Sequence, residues 1–417
     1  EPLLPLHTMR TLPPAASPIR LRAILSGLHG ALRSQQSVQG LRKDIQKAFK
    51  VKYCYLTSSG KAALFMILRA LHALYPGREQ VVIPAYTCYS VPASIRRAGL
   101  HARLCDLGPY SLDFDFSELE TLIKSGGPFL NTDGSRNLDP GPPLAVMPTH
   151  LFGIPANVGG VKDVCAAWDI PVIEDAAQAM GQRDASGKKL GTLGDVGFFS
   201  LGRGKAFSAV SGGVIITNHE LIGETIRTNV QKMPLPGPMA SFEALYKALV
   251  LAVFLHPSLY WIPRGLPFLK LGQTVFEPDF PIQGLTPFQA GLSSGWAENL
   301  MGSMRVRVDN VQAWAEKVRH DRFLTFVEPG RPLPLLRFPL LCRNSDDAGA
   351  ILTSPKAGEL GIMPGYPRSI NRIPDIAPEF AGQDYPRAQA CAEALITLPV
   401  HQYLTWADQQ NILAVLQ

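Results

Sequence analysis

IPVIEDAAQAMG, residues 170–181, decides the fold. A short apolar strand, 171–174, runs into two acids, Glu174 and Asp175, and then into small residues that begin a turn. In open α/β sheets the carboxyl ends of strands face the ligand crevice, so Asp175 is either a ligand-facing acid or the cap of the next helix. Working outward, strands are expected at 81–84, 102–106, 144–148 and 213–217. Helices are expected between them, at 91–98, 116–123 and 161–168, with another from Glu220. Residues 59–74 carry Leu64, Ile67, Leu68 and Leu71 at helical spacing, and 125–143 reads as a loop rich in Gly, Pro, Asn and Asp. This alternation predicts an α/β fold with a mostly parallel sheet sandwiched by helices.

The 417 residues, 46% hydrophobic and 18% charged, can bury a large core and exclude a disordered chain. Four segments are expected: an N-terminal arm (1–40) with one short helix at 19–32, a large α/β domain (41–240), an apolar Pro-rich insertion (241–285), and a C-terminal part (286–417). The last comprises a long helix, 286–320, and a smaller α+β domain with a strand at 336–341, a helix at 346–360 and a final helix from Thr405. The net charge of +6 comes with no dense Lys/Arg block, which argues against nucleic acid and for an anionic small molecule. Six separated cysteines without a C-x-x-C pair argue against a metal site and for core thiols in a reducing, cytoplasmic setting. The start of the chain shows no charged-then-apolar signal pattern. The apolar run 248–255 is far shorter than the roughly 20 residues that span a bilayer.

Two further stretches carry chemistry. In Gly197-Phe198-Phe199-Ser200-Leu201-Gly202-Arg203-Gly204-Lys205 a strand ends at Ser200, and a glycine-flanked turn presents Lys205, either as an amine nucleophile or as a surface lysine. In Thr57-Ser58-Ser59-Gly60-Lys61 small residues open a helix whose free N–H groups can hold a phosphate, or simply cap the helix. A lysine, a buried acid and a phosphate cradle together are what pyridoxal 5'-phosphate requires.

At this point the chain resembles the DegT/DnrJ/EryC1/StrS family of fold-type-I pyridoxal-phosphate aminotransferases. The resemblance runs from about Leu41 to the C-terminus through TSSGKAALFMILRAL (57–71), VVIPAYTCYSVPASIRRAG (81–99), MPTHLFGIPANVGGV (147–161), IPVIEDAAQAMG (170–181), GTLGDVGFFSLGRGK (191–205), SGGVIITN (211–218) and ALITLPVHQYLT (394–405). It implies a sheet of the seven-stranded type and a homodimer. It makes Lys205 the Schiff-base lysine and Asp175 the acid facing the pyridinium nitrogen, with Gln178 beside the cofactor hydroxyl. Ser59, Gly60, Lys61 and Ser200 then form the phosphate cradle. His150 falls at a strand end near the cofactor, as a contact or as a satisfied core histidine.

The departures are specific. Lys61 stands where the family has Thr or Ser. Cys88 stands where an aromatic stacks on the ring, so a neighbouring tyrosine, Tyr89 ahead of Tyr86, is expected to take over. An Asn-x-Arg segment that reaches the neighbouring subunit's phosphate is replaced at Ile282 and Gly284, and Arg203 and Lys61 are expected to supply its charge. The resemblance implies transfer of an amino group from an amino acid, glutamate, to a keto-sugar nucleotide. Three alternatives stand beside it. A sugar dehydratase is disfavoured, because the family's dehydratases carry histidine at the Lys205 position. A non-catalytic regulatory protein keeps the fold without the chemistry. An aminotransferase for a lipid-linked or otherwise apolar ketone would use the aromatic-rich segment 249–271 as a lid or membrane-surface patch.

Overall fold

The computed structural model describes residues 10–125, 129–130, 136–137, 141–266, 274–328 and 330–417. The main sheet contains β1 (Tyr53–Thr57), β2 (Gln80–Pro84), β3 (His101–Cys105), β4 (Ala145–Val146), β5 (Ile173–Asp175), β6 (Val196–Ser200) and β7 (Gly213–Thr217). A three-strand sheet, β3-β2-β4, and a four-strand sheet, β5-β6-β7-β1, are joined by parallel bridges Val146–Val172 and Thr149–Asp175. The result is one seven-strand sheet in which only β7 runs against the others. The carboxyl ends of β4, β5, β6 and β1 therefore open on one edge. The sheet interior reads as continuous apolar runs, such as Val214, Ile215 and Ile216, because both faces are covered.

The helices that position the site are α1 (Leu21–Arg33), α2 (Gln35–Phe49), α3 (Gly60–Leu74), α4 (Pro238–Phe254), α5 (Pro287–Leu292) and α6 (Trp296–Lys317). Helix α3 starts at Ser59, whose hydroxyl accepts from Ala62 N at 3.1 Å. It buries Leu64, Ile67, Leu68 and Leu71, each worth roughly 1.5–3 kcal/mol. A second sheet, β8 (Phe323–Thr325), β9 (Arg337–Cys342), β10 (Met363–Pro364) and β11 (Leu395–Pro399), is antiparallel in the order β8-β9-β11-β10 and forms the core of the C-terminal part.

Three expectations need correction. The arm does not end near residue 40, because α2 crosses that point and buries Leu41, Ile45 and Phe49 against the main core. The helix expected at 286–320 is two helices. A Thr286–Gln289 capping box starts the first, and Gly295, at φ 71°, ends the gap between them in a conformation glycine adopts without strain. The helix expected at 346–360 likewise breaks at Ser354–Pro355, where Pro355 begins a new turn. The loop expected at 125–143 and the segment 249–271 both lie partly outside the described residues, Phe268 and Lys270 among them.

Candidate active site

Asp175 ends β5 and is buried. Its Oδ1 accepts one N–H, from Ala177 at 3.0 Å. Burial pushes its carboxyl above the ordinary aspartate range, although the Ala177 N–H and the charge of Lys205 pull the other way. A buried acid in that condition suits a cationic N–H partner.

Glu174, its neighbour on the strand, points to the opposite face. Its carboxylate accepts from Gly191 N, Leu193 N (2.6 Å) and Gly194 N (3.0 Å), and pairs with His150 Nε2 at 2.8 Å. His150 Nδ1 accepts from Ala156 N at 2.9 Å, so the neutral ring carries its proton on Nε2 and donates it to Glu174. His150 is thus a satisfied core histidine. Glu174→Ala leaves the buried His150 Nε2–H and the Gly191, Leu193 and Gly194 N–H groups without an acceptor and is expected to cost about 3 kcal/mol or more, read as a lower urea midpoint.

The cradle follows from strand register. Thr57 pairs with Gly213, and Gly213 with Ser200, so the ends of β1, β7 and β6 lie side by side. Gly60 begins α3 so close to Ser200 that an added Cβ would sit 3.0 Å from the serine Cβ. Among the described residues the amides of Gly60 and Lys61 have no acceptor, and they point from a helix N-terminus, where an anion is favoured. Ser59, Gly60 and Ser200 therefore converge, and the residues present fit a phosphate.

Lys61 contributes its amide rather than its charge. Its ammonium pairs with Glu277 at 2.8 Å and lies over the Phe280 ring at 4.9 Å. The segment that replaces Asn-x-Arg flanks the cradle through its backbone. Ser58 N donates to Gln283 O at 2.8 Å, and Gly284 bridges Thr57. Arg203 is exposed on the lysine turn, and its charge is felt at the half-buried Tyr260 of the apolar segment.

Lys205 is half-buried, and its charge is felt at Asp175. The backbone of its turn is held by groups that sequence reading missed. Its carbonyl accepts from Ser17 Oγ and from Arg307 Nη2 (3.5 Å), and Arg307 Nη1 donates to Ala206 O at 3.2 Å. Gln178 Nε2 donates to the Tyr366 hydroxyl at 3.2 Å, and its Oε1 accepts from Phe152 N at 3.1 Å. The Tyr366 ring stacks with Tyr89 (6.3 Å) and Phe152 (6.2 Å). Tyr86 is fully buried, and its hydroxyl accepts from Tyr366 N at 2.8 Å. Tyr366 thus joins the aromatic wall that the sequence assigned to Tyr89. The pairing is separated by 188 residues from Gln178 and had no local signal.

The sequence profile of the DegT/DnrJ/EryC1/StrS aminotransferase family matches residues 21–235, half of the chain. The chain belongs to that family. It is a pyridoxal-phosphate-dependent aminotransferase of fold type I. It is 26% identical to GDP-perosamine synthase of Caulobacter vibrioides over 383 residues, covering 89% of this chain and 88% of that one. It is 23% identical to UDP-2-acetamido-2-deoxy-3-oxo-D-glucuronate aminotransferase of Pseudomonas aeruginosa, covering 94% of each. Solved structures share the fold. The aminotransferase PseC of Helicobacter pylori superimposes with a TM-score of 0.75 at 15% identity over 98% of both chains. The GDP-4-keto-6-deoxy-D-mannose-3-dehydratase of E. coli superimposes at 0.72 and 17% identity, covering 98% of this chain and 100% of that one.

Proposed function

We propose that the protein transfers an amino group from glutamate to the keto group of a nucleotide-linked sugar, with Lys205 and Asp175 as its catalytic residues. The observation that carries this reading is the convergence of the Lys205 turn, the buried Asp175 and the Ser59–Gly60–Ser200 cradle at one sheet edge. The names of the long-matching relatives, which act on GDP- and UDP-linked sugars, support the acceptor class.

Pyridoxal phosphate, when bound, supplies an electron-accepting ring for the charge left when a C–H bond beside nitrogen breaks. The amides of Gly60 and Lys61, with Ser59 and Ser200, would hold its phosphate. Asp175 would keep a proton on the ring nitrogen, and its burial would strengthen that pairing. Gln178, held by Phe152 N and the Tyr366 hydroxyl, would face the ring hydroxyl, and Tyr89 lies in the aromatic wall with Tyr366. With that group bound, Lys205 Nζ would be the base that takes the proton from the carbon bearing the donor's nitrogen and returns a proton to the corresponding carbon of the acceptor. A lysine at this position rather than histidine favours amino transfer over dehydration. The test is a half-reaction screen: enzyme aminated by glutamate is mixed with candidate keto-sugar nucleotides. Return of the original cofactor absorbance is expected with at least one of them, and no spectral change with glutamate would leave only a regulatory role.

A homodimer is the assembly this reading favours. Two helices expose apolar stripes at heptad spacing: Leu21, Leu25, Leu28 and Leu32 on α1, and Met239, Phe242, Tyr246, Leu249 and Val253 on α4. Leu32 is 85% and Phe242 65% exposed, whereas monomers rarely expose contiguous apolar patches of this kind. The opposite face of α4, Ala244 and Ala248, packs inward with Ile24 and Phe288, so the segment forms an added layer whose outer side suits a second copy. Phe242→Glu with Leu249→Glu is expected to convert a dimer to a monomer in sedimentation. Flotation with liposomes that the double variant abolishes would instead assign the stripes to a lipid surface. Among the described residues no helix is long and apolar enough to cross a membrane. Five of the six free cysteines are buried, which suits a reducing compartment and supports the cytoplasm as the place of reaction.

A further inference from the structure

Thr149 lies just past the end of β4 and pairs in register with Asp175 of β5. The pairing is parallel and is fixed by two backbone bonds. Asp175 N donates to Pro148 O and His150 N donates to Asp175 O, each at 3.0 Å. Residues paired across neighbouring strands put their side chains on the same face of a sheet. His150 and Glu174, the next residues along, meet on the other face at 2.8 Å, as this register requires. Thr149 therefore stands beside Asp175 on the face that carries the cofactor-binding groups. On its other flank Asp175 pairs with Phe198 of β6, whose side chain offers no polar atom.

Thr149 is 4% exposed, and its Oγ1 is sealed from solvent with no hydrogen-bond partner. Other buried threonines use the hydroxyl. Thr57 donates to Ser59 O at 2.9 Å, Thr397 to Met363 O at 3.1 Å, and Thr217 to Asp195 O. A buried hydroxyl without a partner costs stability, and valine has nearly the same shape, suits a strand and carries no such cost. The hydroxyl at 149 therefore calls for a use. Thr87 is also without a partner, but it lies past the end of β2, which β4 separates from β5. Asp175 has the complementary need. A carboxylate can accept about four hydrogen bonds, and among the described residues this one accepts only the Ala177 N–H. Glu174, next to it on the strand, is saturated by His150 and the 191–194 loop.

We propose that Thr149 is a positioning residue for the cofactor-binding acid, its hydroxyl donating to the Asp175 carboxylate when pyridoxal phosphate fills the site. The inference rests on the aminotransferase reading and adds a residue to it. Rotation of either side chain to another staggered position closes the contact. The effect has a definite sign. A donor on the carboxylate favours its charged form, so the proton shared between Asp175 and the ring nitrogen stays on the nitrogen. Without the hydroxyl, burial favours the neutral acid, the proton moves toward Asp175, and the ring accepts electrons less well.

The test loads the full chain with pyridoxal phosphate whose ring nitrogen is isotopically labelled, and compares wild type with Thr149→Val and Thr149→Ser. The nitrogen resonance reads where the proton sits. Thr149→Val is expected to move that resonance from the protonated toward the neutral position. It is also expected to slow the glutamate half-reaction about 10-fold, the scale of one hydrogen bond to a charged group, with little change in glutamate affinity. Thr149→Ser keeps the hydroxyl and is expected to restore both. In an Asp175→Asn background, Thr149→Val is expected to add less than about 2-fold, because no acid remains to be supported. Without cofactor, Thr149→Val is expected to unfold at a urea midpoint at or above that of wild type, since an unpaired hydroxyl gives way to a methyl group. The proposal is overturned if Thr149→Val keeps the wild-type resonance and rate, if Thr149→Ser fails to the same degree, or if the losses from Thr149→Val and Asp175→Asn multiply in full. Should Thr149→Val not fold, Thr149→Ala decides by the same readings. A wild-type protein that binds the cofactor but gives no half-reaction sinks the aminotransferase reading alone, because the resonance still shows whether Thr149 governs the proton. One that binds no cofactor sinks both.

Discussion

Lys205→Ala is expected to fold, to keep pyridoxal phosphate only by non-covalent contacts, and to lose turnover by on the order of 10⁴-fold. The substitution removes the amine that joins the cofactor and the base that moves the proton, and general acid–base catalysis alone accounts for about 10²–10⁴-fold. The fold should tolerate the change. The turn is held through backbone groups, the Lys205 carbonyl with Ser17 and Arg307 and the Ala206 carbonyl with Arg307, none of which needs the lysine side chain. Thermal unfolding close to wild type, together with loss of the visible absorbance of lysine-bound cofactor, is the expected pair of results. A variant turning over at the wild-type rate would remove Lys205 from the chemistry.

Asp175→Asn is expected to bind cofactor and to lose activity by about 10²–10³-fold, the scale of removing one preorganised electrostatic contact. The amide keeps the shape and the Ala177 contact but cannot hold the proton on the ring nitrogen. The same substitution has a signed effect on the cofactor-free protein. Burial raises the Asp175 pKa above its ordinary 3.8, so the folded chain holds this proton more tightly than the unfolded chain does. The resulting stability is fully present below the ordinary value and is lost as pH rises through the raised one. Cofactor-free Asp175→Asn should lack that slope. Near-normal rates in the variant would reduce Asp175 to a turn-capping group. Its neighbour Glu174 is expected to behave in the opposite manner, failing in stability, because its oxygens are already spent on the 191–194 loop.

The sheet, the cradle and the two catalytic candidates were legible because each lies in a few consecutive residues. An apolar strand ending in an acid, a lysine and a Ser–Gly helix start each carries its meaning locally. What the sequence concealed depends on distant partners. Gln178 meets Tyr366 across 188 positions, and Arg307 meets Lys205 across 102. Periodicity marked a helix near residues 19–32 but could not say which side is covered. The side packed on α5 is the one with Gly27 and Gly30, where an added Cβ would strike Phe288 or the Gly291 backbone, and the leucines are left outside. Close backbone approach outweighed apolar area there. The charge of Lys61 was misjudged for a similar reason, since its partner Glu277 is 216 residues away.

The clasp on the lysine turn bears on how the enzyme comes into being. Ser17 belongs to a stretch at the beginning of the chain that is fastened to its far end: Arg10 to Asp408 through two hydrogen bonds, Leu12 N to Glu359 O, and Pro13 O to His401. While the polypeptide is still leaving the ribosome, those anchors do not yet exist, and Arg307 emerges a hundred residues after the lysine it steadies. The lysine turn is therefore fully braced only after residues 307 to 408 have been made, so cofactor capture is expected late in maturation rather than as a nucleus around which the chain assembles.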